Sequence, residues 1–202
     1  MQNNKIITTN GFKCGINNSF AKINVEELIN RYRDTEKFID YCKKCNRYNA
    51  CWACPPFDFN ADEYLMQYKT AFIVGTKITL DEKNISQQEK NQTTQISNEI
   101  IKEVRIRLDY TLLNMENQQP QSKAFFAGTC YICSTVECAK INGNLCVSPE
   151  KVRPSLEAFG FDVCNISKEL LNIDIQWAND DVLPEYFTLV SGFFTVDENC
   201  VF

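Results

Sequence analysis

The stretch AFIVGTKITL, residues 71–80, is rich in β-branched and apolar side chains and carries one charged residue. This composition favours a buried strand at the centre of a sheet. Apolar residues then recur at helical spacing from about Gln87 to Met115, which predicts a long amphipathic helix. KAFFAGTC, residues 123–130, has the composition of a second buried strand. Working outward from residues 71–80, the sequence therefore predicts a strand–helix–strand unit.

A crossover helix of this length permits the two strands to lie parallel, with a right-handed connection. Upstream of the central strand, the pattern predicts helices over residues 24–45 with a break near Asp34, and then a short helix capped by Asn60. A further strand is expected over residues 185–196. We expect one domain, 1–202, of the α/β class, with α+β as the alternative. Its small mixed sheet would contain the parallel unit and be flanked by helices.

The composition limits the catalytic and binding sites that the chain can form. The chain has 202 residues, eleven cysteines, no histidine and a formal net charge of −5. Without histidine it cannot build a Ser-His-Asp or Cys-His catalytic arrangement. The negative charge argues against nucleic-acid binding. No apolar run is long enough to cross a membrane, and the N-terminus lacks the pattern of a secretory signal, so we expect a cytoplasmic protein. Cysteine-rich patterns in that compartment indicate metal or redox chemistry more often than disulfides.

A cysteine-rich loop is predicted at residues 128–149, directly after the second strand. It contains Cys130, Cys133, Cys138 and Cys146. The CxxC pair can place two sulfurs on one metal group, and its tight turn can donate backbone N–H groups to them. The spacing is a looser relative of the bacterial ferredoxin run, and it favours a [4Fe-4S] cluster over zinc. The alternative is four free or redox-active thiols.

A second cysteine-rich loop is predicted at residues 42–57, CKKCNRYNACWACPPF. It contains two CxxC pairs, Cys42 with Cys45 and Cys51 with Cys54. Five residues between the pairs leave little room for a zinc-ribbon hairpin. The loop could therefore ligate a cluster with all four thiols, or with three and one spare. Alternatively, the thiols pack as small apolar groups under a rigid lid of tryptophan and prolines.

Arg153 opens the segment RPSLEAFGFDV, residues 153–163. The sequence predicts a short helix here, which begins near Pro154 and ends at Gly160. A second short helix is expected in the NISKELLN that follows. The N–H groups at the start of the first helix could face an anionic cluster, and Arg153 could bind the cofactor or an anionic ligand. A structural ion pair of Arg153 is the alternative.

These motifs as a set resemble a family of predicted metal-binding proteins, domain of unknown function 2284. The resemblance rests on the first CxxC, on Cys54-Pro55-Pro56, on Gly128-Thr129-Cys130 with Cys133, and on residues 153–163. It extends from about Lys37 to Val196. The positions that match the family's cysteine pattern are Cys42, Cys45, Cys54, Cys130, Cys133, Cys138 and Cys146. Cys51 is an addition to that pattern, so it is the first cysteine to test.

Three functions fit these observations. The first is an iron–sulfur protein with one or two [4Fe-4S] clusters that transfers electrons to a redox protein partner or supports a redox enzyme. The second is a zinc-binding structural or interaction module. The third is an iron–sulfur enzyme with an open cluster site. The sequence gives neither the substrate nor the oligomeric state.

Overall fold

The computed structural model of the chain describes residues 4–9, 12–80, 93–133, 137–177 and 184–201. Within these residues the strands are β1 (Asn4–Thr9), β2 (Phe12–Asn24), β3 (Thr70–Leu80), β4 (Ser122–Phe125) and β5 (Tyr186–Thr195). The α-helices are α1 (Val25–Tyr32), α2 (Thr35–Lys43), α3 (Ala61–Met66), α4 (Thr93–Gln118) and α5 (Val163–Leu171). Single 3₁₀ turns lie at Ala139–Asn142 and Glu157–Phe159.

The strands form one sheet in the order β1-β2-β3-β5-β4, and every neighbouring pair is antiparallel. The α+β alternative is therefore confirmed, and the parallel strand–helix–strand unit is wrong. Helix α4 does connect β3 to β4, but β5 lies between these two strands and pairs with both. β5 is buried along most of its length. A strand that is apolar on both faces is stabilised most at an interior position, where helices cover both sides of the sheet.

The N-terminal part of the sheet was not predicted. β1 and β2 form a hairpin, and β2 pairs with β3 from Cys14 opposite Leu80 to Asn24 opposite Thr70. β1 alternates polar and apolar side chains only weakly, because it is an edge strand with much exposed surface. Edge strands bury little, so their sequences carry a weak signal.

Helices cover both faces of the sheet. α4 packs on one face, where Ile100 and Val104 meet Ile78 and Leu189. The other face is covered by α1, α3 and α5, around an aromatic group that includes Phe125. Successive side chains of a strand point to opposite faces, and β3 and β5 are buried along most of their length because helices cover both faces. The apolar core is thus divided between two layers of helix–sheet contact.

The predicted helix boundaries between β2 and β3 are confirmed. Asp34 accepts a hydrogen bond from the backbone N–H of Lys37 and starts α2 as a new helix after α1. Asn60 caps α3 by accepting from the N–H groups of Asp62 and Glu63. The predicted helix in residues 153–163 is only the 3₁₀ turn Glu157–Phe159, which ends at Gly160 with φ of +85°. A three-residue turn presents no helix N-terminus to an anion.

Candidate metal centre

The two cysteine-rich loops meet beyond the end of β4. The first leaves the end of α2, and the second follows Phe126, which bridges to Ser155. Lys140 joins the loops, because its ammonium group donates to the carbonyl oxygens of Cys51, Cys54 and Pro56 at 3.4, 3.3 and 3.1 Å. Trp52 of the first loop donates from Nε1 to the carbonyl oxygen of Asn144 at 3.1 Å. Cysteines about 80 residues apart in sequence are therefore neighbours.

Cys51 lies at the centre of this contact. Its side chain is 2 % exposed, and its thiol is near enough to the thiols of Cys130 and Cys54 for them to lower its pKa. Cys54 also contacts the Thr129 hydroxyl, with 3.7 Å between Sγ and Oγ1. The cysteine that is an addition to the family pattern is thus the most central thiol between the two loops.

Five of the predicted ligands line one cavity of about 460 Å³: Cys51, Cys130, Cys133, Cys138 and Cys146. All four cysteines of the second loop therefore line the same cavity, and their binding of one metal group stays a prediction. Arg47 and Lys102 also line the cavity. Both side chains bring positive charge to the cavity wall.

The CxxC pairs fold as tight turns that direct backbone N–H groups to sulfur. The N–H of Cys45 donates to the carbonyl of Cys42 at 2.9 Å, and the N–H of Cys54 donates to that of Cys51 at 3.0 Å. The N–H of Arg47 reaches Cys45 Sγ, and the N–H of Ile132 reaches Cys130 Sγ, each at 3.5 Å. The predicted donation of amides to the sulfurs is confirmed at these two cysteines.

The thiols influence one another's protonation. Hydrogen bonds from the Cys130 and Cys54 thiols lower the pKa of Cys51 despite its burial. The pKa values of Cys54 and Cys130 are raised, first by their hydrogen bonds to Cys51 and then by burial. Burial, followed by the charges of Cys138 and Cys146, raises the pKa of Cys133. Cys51 therefore loses its proton more easily, while Cys54 and Cys130 lose theirs less easily. Bound metal cations would keep all of these thiols deprotonated.

Cys42 and Cys45 lie to one side of the cavity. Cys42, at the end of α2, borders a separate hollow formed with Pro55, Pro56 and Phe159. Burial, and then the charges of Cys45 and Glu157, raise the pKa of Cys42. Cys45 is exposed, and its charge acts on Cys54 as well. Neither of these two cysteines lines the thiol cavity.

The second loop is held in place from helix α4. Arg105 donates from Nη2 to the carbonyl oxygen of Thr129 at 2.6 Å, and its guanidinium carbon lies 4.3 Å from the centre of the Tyr131 ring. Gly128 has φ of +67°, which L residues with side chains rarely adopt, and an added Cβ would lie 3.6 Å from Arg105 Nη1. Sequence reasoning missed Arg105 and Lys140. No local motif marks them, because their partners are distant in the sequence.

Arg153 is engaged with Glu116 of α4. Its Nε and Nη2 donate to the two carboxylate oxygens at 2.8 and 2.6 Å, and its Nη1 donates to the carbonyl of Val152. Glu116 also accepts from Lys123 and from the N–H of Ala124. These are the contacts of the ion-pair alternative, and binding of a cofactor by Arg153 stays a prediction.

The remaining cysteines are apart from the cavity. Cys14 and Cys200 are buried in the two cores that pack against α4, and Cys164 is exposed on α5. Among the described residues, no three cysteine, aspartate or glutamate side chains form a group that could hold one metal ion. Apart from the Glu137 carboxylate, the metal donors around the cavity are thiols, which suit zinc or iron–sulfur clusters and are disfavoured for hard cations.

An α+β fold that collects thiols from two loops around one cavity has the donor set of a metal-binding protein with thiolate ligands. The chain belongs to the family of predicted metal-binding proteins, domain of unknown function 2284, whose model matches residues 27–192. The resemblance found in the sequence is confirmed. No curated protein and no solved structure matches the chain. In the part of the chain that the structure describes, no helix is long and apolar enough to span a membrane.

Proposed function

We propose that the chain is an iron–sulfur protein that exchanges single electrons with a redox protein partner or supports a neighbouring redox enzyme. The observation that carries this proposal is the convergence of thiols from both loops on the cavity of about 460 Å³. Five cysteines line this cavity, and Cys54 contacts Cys51 beside it. A bound cluster would supply one-electron oxidation and reduction, and the chain would set its potential through burial and N–H···S hydrogen bonds.

A cluster fits this arrangement better than a single ion. Four thiolates on one zinc ion place their sulfurs about 3.8 Å apart, as Zn–S bonds of about 2.3 Å in a tetrahedron require. Here the cysteines surround a wide cavity, and no three described donors form a single-ion group. A cluster separates its ligands more widely because each thiolate binds a different iron. The amide donors at Cys45 and Cys130 are also typical of cluster loops.

We assign the ligands in two sets. Cys130, Cys133, Cys138 and Cys146 all line the cavity and supply four thiolates for one [4Fe-4S] cluster. The first loop contributes a second set, Cys42, Cys45, Cys51 and Cys54, which joins the first where Cys51 contacts Cys130. The second set would hold a second cluster or support the first. Iron content distinguishes these arrangements, at about eight or about four atoms per chain.

Anaerobic purification followed by iron, zinc and acid-labile sulfide analysis tests the proposal. We expect iron and sulfide in equal amounts, with a visible spectrum that dithionite bleaches. Cys130→Ala should lose the cavity cluster, whereas Cys164→Ala should retain it, because Cys164 is exposed and does not line the cavity. Stoichiometric zinc with neither iron nor sulfide in the anaerobic protein would refute the proposal.

A structural zinc site is the second candidate function. The observation that favours it is the mutual influence of the Cys51, Cys54 and Cys130 thiols, whose hydrogen bonds shift one another's pKa. Zinc would then supply folding free energy, and a chelator would unfold the chain. Retention of the circular dichroism spectrum after complete removal of zinc would exclude this role.

The surroundings of Cys146 support electron exchange with a partner. Leu145 and Val147 on either side of it are exposed. An exposed apolar surface beside the ligands gives a partner protein a contact area close to the cluster. We place the protein in the cytoplasm, where reducing conditions keep thiolate ligands available.

A further inference from the structure

A second cavity, of about 400 Å³, lies between α4 and the edge of β5. It exists because β4 is short. β4 pairs only with residues Gly192–Thr195, so the edge of β5 over Phe187–Val190 faces the cavity instead of another strand. The volume is in the range of sites for small organic molecules.

Buried polar groups without a partner line this cavity. Arg105 is 3 % exposed, and although its Nη2 donates to Thr129, its Nε has no hydrogen-bond partner among the described residues. Glu157 Oε2 and Thr188 Oγ1 are also buried and without a partner in that part of the chain. Buried polar groups in native proteins are normally satisfied, and each exception requires an explanation. A ligand with polar groups at one end would satisfy them.

Most of the remaining lining is apolar, although Ser97, Asn98 and Gln176 also border the cavity. Ile101 of α4, Leu189 of β5, and Ile175 and Trp177 before β5 contribute to it. Small-molecule sites commonly combine such walls with a few convergent polar groups. The lining thus suits a molecule with an apolar body and a polar end.

We propose that this cavity binds a small organic carboxylate with an apolar body. Its carboxylate accepts a hydrogen bond from Arg105 Nε, and its body lies against Ile101 and Trp177. A hydroxyl group on the ligand could in addition donate to Glu157. The site is distinct from the thiol-lined cavity, and the proposal does not depend on the identity of the metal.

The two cavities share a wall. Tyr131 lines both of them, and Arg105 lies over its ring. The loop from Gly128 to Tyr131 therefore has the ligand on one side and the thiols on the other. A bound carboxylate is thereby placed next to the metal centre, which is the position of a substrate or an effector.

The test uses the purified full-length chain with 3-phenylpropionate and its neutral amide as probes in isothermal titration calorimetry. We expect the acid to bind about 10- to 100-fold more tightly than the amide, the difference expected for a hydrogen bond to a charged group. Ile101→Trp should abolish binding by filling the cavity. Ile106→Trp, on the same helix but 54 % exposed and outside the cavity, is the matched control and should bind normally.

The two tryptophans of the chain give a test that needs no cavity variant. Trp177 lines the proposed site and Trp52 lines the thiol cavity. With ¹⁵N-labelled indoles, assigned by Trp52→Phe, 3-phenylpropionate should shift the Trp177 signal and leave the Trp52 signal in place. Equal affinity for acid and amide, full binding by a folded Ile101→Trp variant, or a shift of Trp52 alone would overturn the proposal.

Discussion

Glu116→Gln provides the sharpest test of how the fold supports the second cysteine loop. Glu116 and Arg153 are nearly buried, with side-chain exposures of 9 % and 10 %, and the pair is bidentate. The substitution leaves the Arg153 cation without a counter-charge in the protein interior. Breaking a buried ion pair in this way costs about 3–5 kcal/mol. For a chain of this size, that corresponds to a fall in melting temperature of roughly 6–20 °C.

The matched control is Glu103→Gln on the same helix. Glu103 pairs with Arg107 at 2.7 Å, but the two side chains are 41 % and 53 % exposed. Exposed pairs contribute about 0–1 kcal/mol, so the control should change the free energy of unfolding little. Urea unfolding at pH 7 measures both variants. A cost below 1 kcal/mol for Glu116→Gln would refute the assignment of Arg153 as a structural residue.

The same pair predicts a pH dependence. Burial alone would raise the pKa of Glu116, but hydrogen bonds from Arg153, Ala124 and Lys123 outweigh it, so the pKa is lowered in the folded protein. The stabilisation is therefore present above the pKa of an unfolded glutamate, and it is lost as the pH falls through the lower folded value. The unfolding free energy of Glu116→Gln should vary less with pH over this acidic range.

Three further predictions concern single residues. Lys140→Met should reduce metal occupancy and speed hydrogen exchange in the first cysteine loop, because Lys140 donates to three carbonyl oxygens of that loop. Lys151 is exposed, so the control Lys151→Met should have neither effect. Burial raises the pKa of Asp109 to about 7, although the charge of Arg105 opposes this shift. The folded protein should therefore become more stable as the pH falls from above 7 towards 4. Asp109→Asn should remove this increase, as measured by thermal unfolding. Gly160→Ala should destabilise the fold by about 1–3 kcal/mol in urea unfolding, because φ is +85° and an added Cβ would lie 2.9 Å from the Cα of Thr35; an unchanged midpoint would contradict the geometry.

Most secondary structure could be predicted because its signals are local. The caps Asp34 and Asn60, the helical repeat of α4 and the apolar run of β3 each lie within one element. The hairpin of β1 and β2 could not be predicted, since an edge strand buries little and has a weak pattern. The predicted pairing of β3 with β4 was wrong for a different reason. β5 is distant from both strands in the sequence, and no local pattern shows where such a strand inserts into the sheet.

The sequence by itself determined the chemistry of the site. Eleven cysteines without a histidine make thiolates the main candidate donors, and the spacing of Cys130, Cys133, Cys138 and Cys146 places them in one loop. Only the tertiary structure decided which thiols meet. Cys51 contacts Cys130 because the two loops pack together through Lys140, and the second cavity opens because β4 leaves the edge of β5 uncovered. Such contacts depend on packing between distant segments, and local spacing contains no information about them.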